Sequence, residues 1–319
     1  MRVPALVCAA LAAVGLGAHG VIPRDLIAST GGDHSGGAAA ETGMPEPVEA
    51  KLLRGALLAG STDDVERAAR NAGARRLSLA LTNAGSDRVL ALAAADGAPF
   101  ADDAVWLLVP LAEAARAPDR PLAVRAARAA ARIAGALDPG DLLAGDVPVD
   151  WTRARIRDFR AVAADPGRWT DVRVSALEAA ARLHRALEKQ AGPADAPFDL
   201  AVSAVDPDPE IRRAAFELLG SPLKPAELAI AAKAAAADGE PMVALAAGQA
   251  ACDGLRFGDP VRPVLAALGA RGLVRLRALV ANKTLSAGAR LGAARCLVVD
   301  GSRASKKALA TLPRRGKRR

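Results

Sequence analysis

Tyrosine is absent from these 319 residues, and three tryptophans and five phenylalanines bring the aromatic share to only 3%. A core of stacked rings is therefore excluded, and an interior drawn from a composition that is 51% apolar must be filled mainly by Ala, Leu and Val. Small side chains let helices approach closely, and alanine has the best intrinsic helix propensity. No segment alternates apolar and polar residues long enough to argue for a sheet. The expected class is all-α.

Histidine is almost as scarce. His19 lies in the N-terminal segment, His34 among glycines, and only His184 falls in an Ala/Leu-rich stretch. No histidine cluster, metal-binding pair or Ser/His/Asp set can be assembled from these. Neither a phosphate-cradling glycine loop ending in Lys-Ser/Thr nor G-x-S-x-G occurs. The paired acids Asp63-Asp64 and Asp102-Asp103 stand at expected helix starts, where capping accounts for them. Asp33-His34-Ser35 holds the residue types of a hydrolytic triad. Adjacent residues in a glycine-flanked loop do not reach the relay geometry. No catalytic residue, cofactor, metal or small-molecule substrate is expected.

What the chain does have is a returning pattern: an apolar residue, an arginine, two variable positions and a small residue. It reads Val124-Arg125-Ala126-Ala127-Arg128, Val172-Arg173-Val174-Ser175-Ala176, Ile211-Arg212-Arg213-Ala214-Ala215 and Ala289-Arg290-Leu291-Gly292-Ala293. The arginines stand 48, 39 and 78 positions apart, the last interval being twice the second. A period near 40 residues built from helices predicts a solenoid. Val243-Ala244-Leu245-Ala246-Ala247 keeps the small-residue spacing without the arginine. Turns are expected where Pro and Gly fall. They separate Asp102–Arg116 from Leu122–Ala136, Asp150–Ala164 from Val172–Leu187, Phe198–Val205 from Pro209–Leu219, and Pro225–Ala237 from Pro241–Cys252, and Ala270–Ala281 is expected to pair with Ser286–Val299. The best-marked junction is Asp206-Pro207-Asp208-Pro209-Glu210. Asp208 caps, Pro209 fits the first helical position and Glu210 complements the positive helix end.

At these residues the chain resembles the HEAT-repeat family, whose units are two antiparallel helices with an aspartate in the turn and an arginine early in the second helix. Asp119 with Arg125, Asp171 with Arg173, and Asp206 or Asp208 with Arg212 match that pattern, and Ala244 departs from it. The resemblance covers roughly residues 101–300 and implies a right-handed α-solenoid of antiparallel helix pairs, the arginines and aspartates forming a structural ladder between units. An arginine on an Ala/Leu surface independently needs a carboxylate or several carbonyls. The other reading of the same arginines is a row lining a groove for phosphates.

The N-terminus reads as an address. Arg2, the uncharged stretch Val3–Gly17 and the small residues of Ala18-His19-Gly20 form a secretory signal peptide over residues 1–20, with a retained anchor as the alternative. Residues 21–47, rich in Gly and Pro, read as a flexible linker, 48–300 as the helical array, and 301–319 as a disordered basic tail. Cys252 and Cys296 lie 44 positions apart. Export permits a disulfide, but cysteine in Ala/Leu-rich helical runs reads more simply as a small buried hydrophobe.

Charge points to two candidate binding elements. The net charge is +8, and the tail alone carries eight basic residues and no acid, among them Arg314, Arg315, Lys317, Arg318 and Arg319. Such a segment binds anionic polymers or membrane surfaces, or is simply solvated. Trp151, Arg153, Arg157 and Arg160 form the second: the three arginines share one helix face beside an indole. A core role for Trp151 and a wet charged face is the competing reading. The functional expectation is an exported, periplasmic or cell-surface bacterial scaffold binding a protein partner. The alternatives are a polyanion or envelope-surface binder and, more remotely, a lyase-like enzyme on a HEAT scaffold. Thirty-five Arg against eight Lys supports the bacterial assignment.

Overall fold

The computed structural model describes residues 51, 54–55, 61–137, 147–191, 200–219, 223–253 and 261–313, all within the unit Glu46–Arg319. The expected signal peptide (residues 1–20), the expected linker (21–47) and residues 314–319 lie outside the described residues. Within them the chain is all-helical and no strand occurs. The α-helices are α1 (Thr62–Thr82), α2 (Arg88–Gly97), α3 (Leu108–Ala114), α4 (Arg120–Ala136), α5 (Val149–Ala164), α6 (Thr170–Ala191), α7 (Leu200–Ala204), α8 (Pro209–Glu217), α9 (Pro225–Ala237), α10 (Pro241–Asp253), α11 (Val261–Ala281), α12 (Ala287–Asp300) and α13 (Arg303–Leu309). None of these is long and apolar enough to cross a membrane.

Helix starts follow local chemistry. The side chains of Ser61, Asp87, Asp208, Ser286 and Ser302 each accept a hydrogen bond from a first-turn backbone N–H, satisfying donors that have no partner inside the helix. Pro209, Pro225 and Pro241 open α8, α9 and α10, where a missing N–H costs nothing. Glycine marks the kinks: Gly73 and Gly269 take φ of 71° and 60° inside α1 and α11, so each of these is two helices meeting at a left-handed residue. The helix expected over Asp102–Arg116 is shorter. Asp103 adopts φ 56°, and two 3₁₀ turns, Ala98–Phe100 and Ala104–Leu107, precede α3.

The helices pack in two rows. Across the rows, α1 packs on α2, α3 on α4, α5 on α6, α7 on α8, α9 on α10 and α11 on α12. Along the even row, each of α2, α4, α6, α8 and α10 packs on the next, the last of them on α12. Along the odd row, α1 touches α3, α3 touches α5, α7 touches α9, α9 touches α11 and α11 touches α13. The core is rich in alanine. One cluster runs from α1 to α8 and a second from α7 to α13, and α8 contributes Ile211 to the first and Phe216 to the second.

Two corrections to the sequence reading concern the last units. Cys252 of α10 and Cys296 of α12 are not separate thiols but a disulfide, both residues fully buried. The reason is close approach. Gly248 and Gly292 each stand one turn before a cysteine, a Cβ at Gly292 would overlap the Gln249 side chain of α10, and the bridged Cα atoms are 5.4 Å apart. The second correction is that the tail does not begin at Gly301. Arg303–Leu309 forms α13, which packs on α11 and α12 and buries Ser305 and Ala308.

Candidate functional site

Polar links between successive units form two series. The first runs along the N-terminal ends of the even row. Arg54 pairs with Asp87, the cap of α2; Arg88 pairs with Asp119, the cap of α4; Arg120 reaches Asp171 of α6 at 3.3 Å; and the Thr170 hydroxyl donates to Asp208, the cap of α8, at 2.5 Å. Each carboxylate thus caps or opens its own helix and also receives a side chain from the preceding unit. The hydrogen bond from Arg88 holds the Asp119 carboxyl below the ordinary range. At Asp208 burial opposes ionisation, but the Thr170 hydroxyl and the α8 backbone N–H groups outweigh it, so its pKa is lowered.

The second series carries the arginines of the repeated pattern. Arg173, 4% exposed, donates from Nε to the Ala163 carbonyl at 2.8 Å and pairs through Nη2 with Asp206 in the next turn. Arg212 makes a bidentate pair with Asp238, at 2.9 and 3.0 Å, and donates from Nη1 to the Asp206 carbonyl at 2.8 Å. Burial pushes the Asp238 carboxyl up, yet the Arg212 hydrogen bond and the Glu240 N–H bring it below the usual value. Arg125 reverses the direction and pairs with Asp96 of α2 in the preceding unit. Burial dominates there and raises the Asp96 pKa despite that partner. Arg290, also 4% exposed, copies Arg173 in donating from Nε to a carbonyl ten residues back, Val280 at 2.7 Å. Its Nη2 meets the Thr311 carbonyl at 3.0 Å and hydroxyl at 3.3 Å, where Arg173 meets a carboxylate.

The motif pairings therefore resolve differently from their order in the sequence. Asp119 and Asp171 serve Arg88 and Arg120, Asp206 serves Arg173, and Asp208 serves Thr170. Asp87, Asp96, Asp238, Arg88 and Arg120 were missed. The available signal was the doublet of a capping aspartate followed by arginine, Asp87-Arg88 and Asp119-Arg120. The unit without its arginine is completed from elsewhere: Arg275 of α11 donates to the carbonyls of Ala236 and Asp238, at the end of α9.

On α5, Trp151 is partly buried and meets Trp106 edge-on, ring centroids 5.2 Å apart at 69°. Arg155, not one of the three face residues, places its guanidinium 5.5 Å from the Trp151 ring centre and pairs with Asp158 at 2.8 Å. Arg153 pairs with Asp150 at 3.1 Å, Arg157 is exposed and Arg160 is half-buried. The cation recorded over the Trp151 ring is thus Arg155, and that ring also packs edge-on against Trp106. His184 is buried, 3.7 Å from Glu188. A shallow groove on α1 is lined by Asp63, Glu66, Arg67, Arg70 and Asn71, side chains largely engaged in ion pairs along one helix. Arg314, Arg315, Lys317, Arg318 and Arg319 lie outside the described residues.

The end of the array is secured by Asp300. It accepts from the Ser302 hydroxyl at 2.6 Å, from the Ser305 hydroxyl, and from Arg277 at 3.0 Å. The two hydroxyls first, and Arg277 after them, outweigh burial and hold this carboxyl at about 2. No protein-family model, curated protein or solved structure matches the chain. Among the described residues, the arginine and aspartate side chains that converge do so on one another, linking one helix to another.

Proposed function

We propose that the chain is an exported HEAT-like scaffold, a right-handed α-solenoid of antiparallel helix pairs that presents a helical surface to a protein partner. The observation that carries this reading is the pairing of helices in two rows with arginines and hydroxyls tying each even-row helix to the next. Such an array spends its buried polar groups on unit-to-unit joints and leaves long helix faces for binding. Export is supported by the buried Cys252–Cys296 disulfide, which suits an oxidising compartment. Affinity capture from the native envelope tests the proposal, with photo-cross-linkers placed at exposed Arg128 and Arg185 on the even row and at Arg157 on the odd row. A defined protein cross-linked through one row supports the scaffold; failure to recover any protein from all three positions refutes it.

A polyanion-binding reading is favoured by one observation, the exposed Arg303, Lys306 and Lys307 on ordered α13. Salt separates the two. Binding that collapses as salt rises is counterion release, whereas a packed interface persists.

A further inference from the structure

The last even-row helix is open on the flank where its row would continue. Every even helix from α4 to α10 packs between two even-row neighbours, but α12 packs on α10 alone in its row, and α13 has no even-row partner across from it among the described residues. On α12, Gly292 and Cys296 face α10. Leu291 and Val298, seven residues apart and so on one helix face, point away from α10 and are 50% and 64% exposed. On α10, whose two flanks are both covered, Leu245 and the residues around it are buried. This flank therefore presents two exposed apolar side chains, where Leu245 and Cys252 of α10 are fully buried. Its surroundings are positive. Arg303, Lys306 and Lys307 are exposed on α13, which packs on α12.

We infer that the α12 flank is a docking site for an acidic amphipathic helix of a protein partner, which packs along α12 as α12 packs along α10. Its apolar stripe lies on Leu291 and Val298, and its carboxylates face Arg303, Lys306 and Lys307. Leucine and valine at i and i+7 match the anchor spacing of a helix laid in a groove. The basic surroundings select the sign of the partner's charge. A second copy docking tail to tail is disfavoured because it would bring two such basic segments together. This inference rests on the scaffold reading and specifies its partner.

The test is fluorescence anisotropy of full-length protein with synthetic peptides of about 18 residues, long enough to hold a helix. One has leucine on an i, i+3, i+4, i+7 face with glutamate elsewhere, one has lysine in place of glutamate, and one is a scramble of the first. The proposal expects the glutamate peptide to bind, the other two to bind at least about tenfold more weakly, and Leu291→Asp and Val298→Asp each to weaken binding at least about tenfold, the equivalent of ~1.4 kcal/mol. Leu79→Asp, at an exposed position on α1, should leave binding unchanged, and circular dichroism melts should show all variants folded. Equal binding of the scramble, or binding indifferent to Leu291→Asp and Val298→Asp, would overturn the site. So would binding to phosphatidylglycerol vesicles that these substitutions abolish while no peptide binds, since that assigns the flank to a membrane. A captured envelope protein that Leu291→Asp does not release sinks this site alone, whereas capture of none sinks the scaffold.

Discussion

Replacing Asp300 with asparagine should loosen α13 in a way that disappears in acid. The carboxylate accepts from Ser302, Ser305 and Arg277, so it closes α12, caps the approach to α13 and reaches back to α11. Asparagine keeps the shape and one acceptor oxygen but removes the charge that these donors stabilise. A carboxyl held at about 2 when folded, against about 3.9 when unfolded, contributes at most ~2.6 kcal/mol at neutral pH. Solvent screening near the end of the array reduces the expectation to about 1–2 kcal/mol. The sign follows from the depressed value: the stabilisation is complete above the unfolded pKa and is lost as pH falls through the folded one. Hydrogen exchange of the amides from Arg303 to Leu312, with and without Asp300→Asn, reads the effect locally. The two proteins should differ by the stated amount at about pH 7, converge between about pH 5 and 2, and match below that. A neutral-pH difference under about 0.5 kcal/mol, or one that acid leaves intact, would refute the assignment of this network as the anchor of α13.

Asp206→Ala should destabilise by about 3 kcal/mol because Arg173 is left buried without its carboxylate, and Arg173→Met in the same chain should recover part of that loss, read as a coupling in a urea double-mutant cycle. Replacing both Cys252 and Cys296 with serine should cost about 2–4 kcal/mol in thermal or denaturant unfolding, and in the parent protein the buried bridge should resist reduction until denaturant is added. Gly248→Val should cost about 1–3 kcal/mol, since a Cβ there lies 2.6 Å from Cδ2 of fully buried Leu276; Leu276→Ala should relieve the clash while opening a cavity of its own.

The all-helical class was legible because absence and abundance agreed: few aromatics, no alternation, and alanine in runs. The start of α8 was legible because Asp208, Pro209 and Glu210 are local signals, and the structure begins the helix at Pro209 with Asp208 accepting from the Glu210 N–H. The disulfide was harder. Composition treats Cys252 and Cys296 as small hydrophobes, and only the spacing of Gly248 and Gly292, each four residues before a cysteine, hints that two helix faces meet closely there. The tail misled because its charge is exposed while its anchors are single residues: Ser305 and Ala308 turn inward and Arg303, Lys306 and Lys307 turn outward. Within the candidate ladder the arginines were visible and their partners were not, because a helix start advertises a cap without saying which neighbouring unit will use it.

Arg275 shows what such a joint requires. The unit containing Ala244 lacks the patterned arginine, yet the carbonyls at the end of α9 are still met, from a different helix. Arg125 meets its acid behind it and Arg173 ahead of it. The constraint is therefore on the acceptors: a carbonyl at a helix end, or a carboxylate in a turn, must find a donor within reach, a guanidinium in most of these joints and the Thr170 hydroxyl at Asp208, and the position in sequence that supplies it is free to vary. The same reasoning explains the charge at the end of the array. Arg173 and Arg212 each spend their charge on an aspartate of the next unit, but Arg290 is met by Thr311 and Val280, which are neutral. Buried positive charge there is hydrogen-bonded without being neutralised, and α13 adds three exposed cations. A helix docked on α12 would meet the exposed cations of α13 rather than buried Arg290, which is why the proposed partner is acidic as well as apolar.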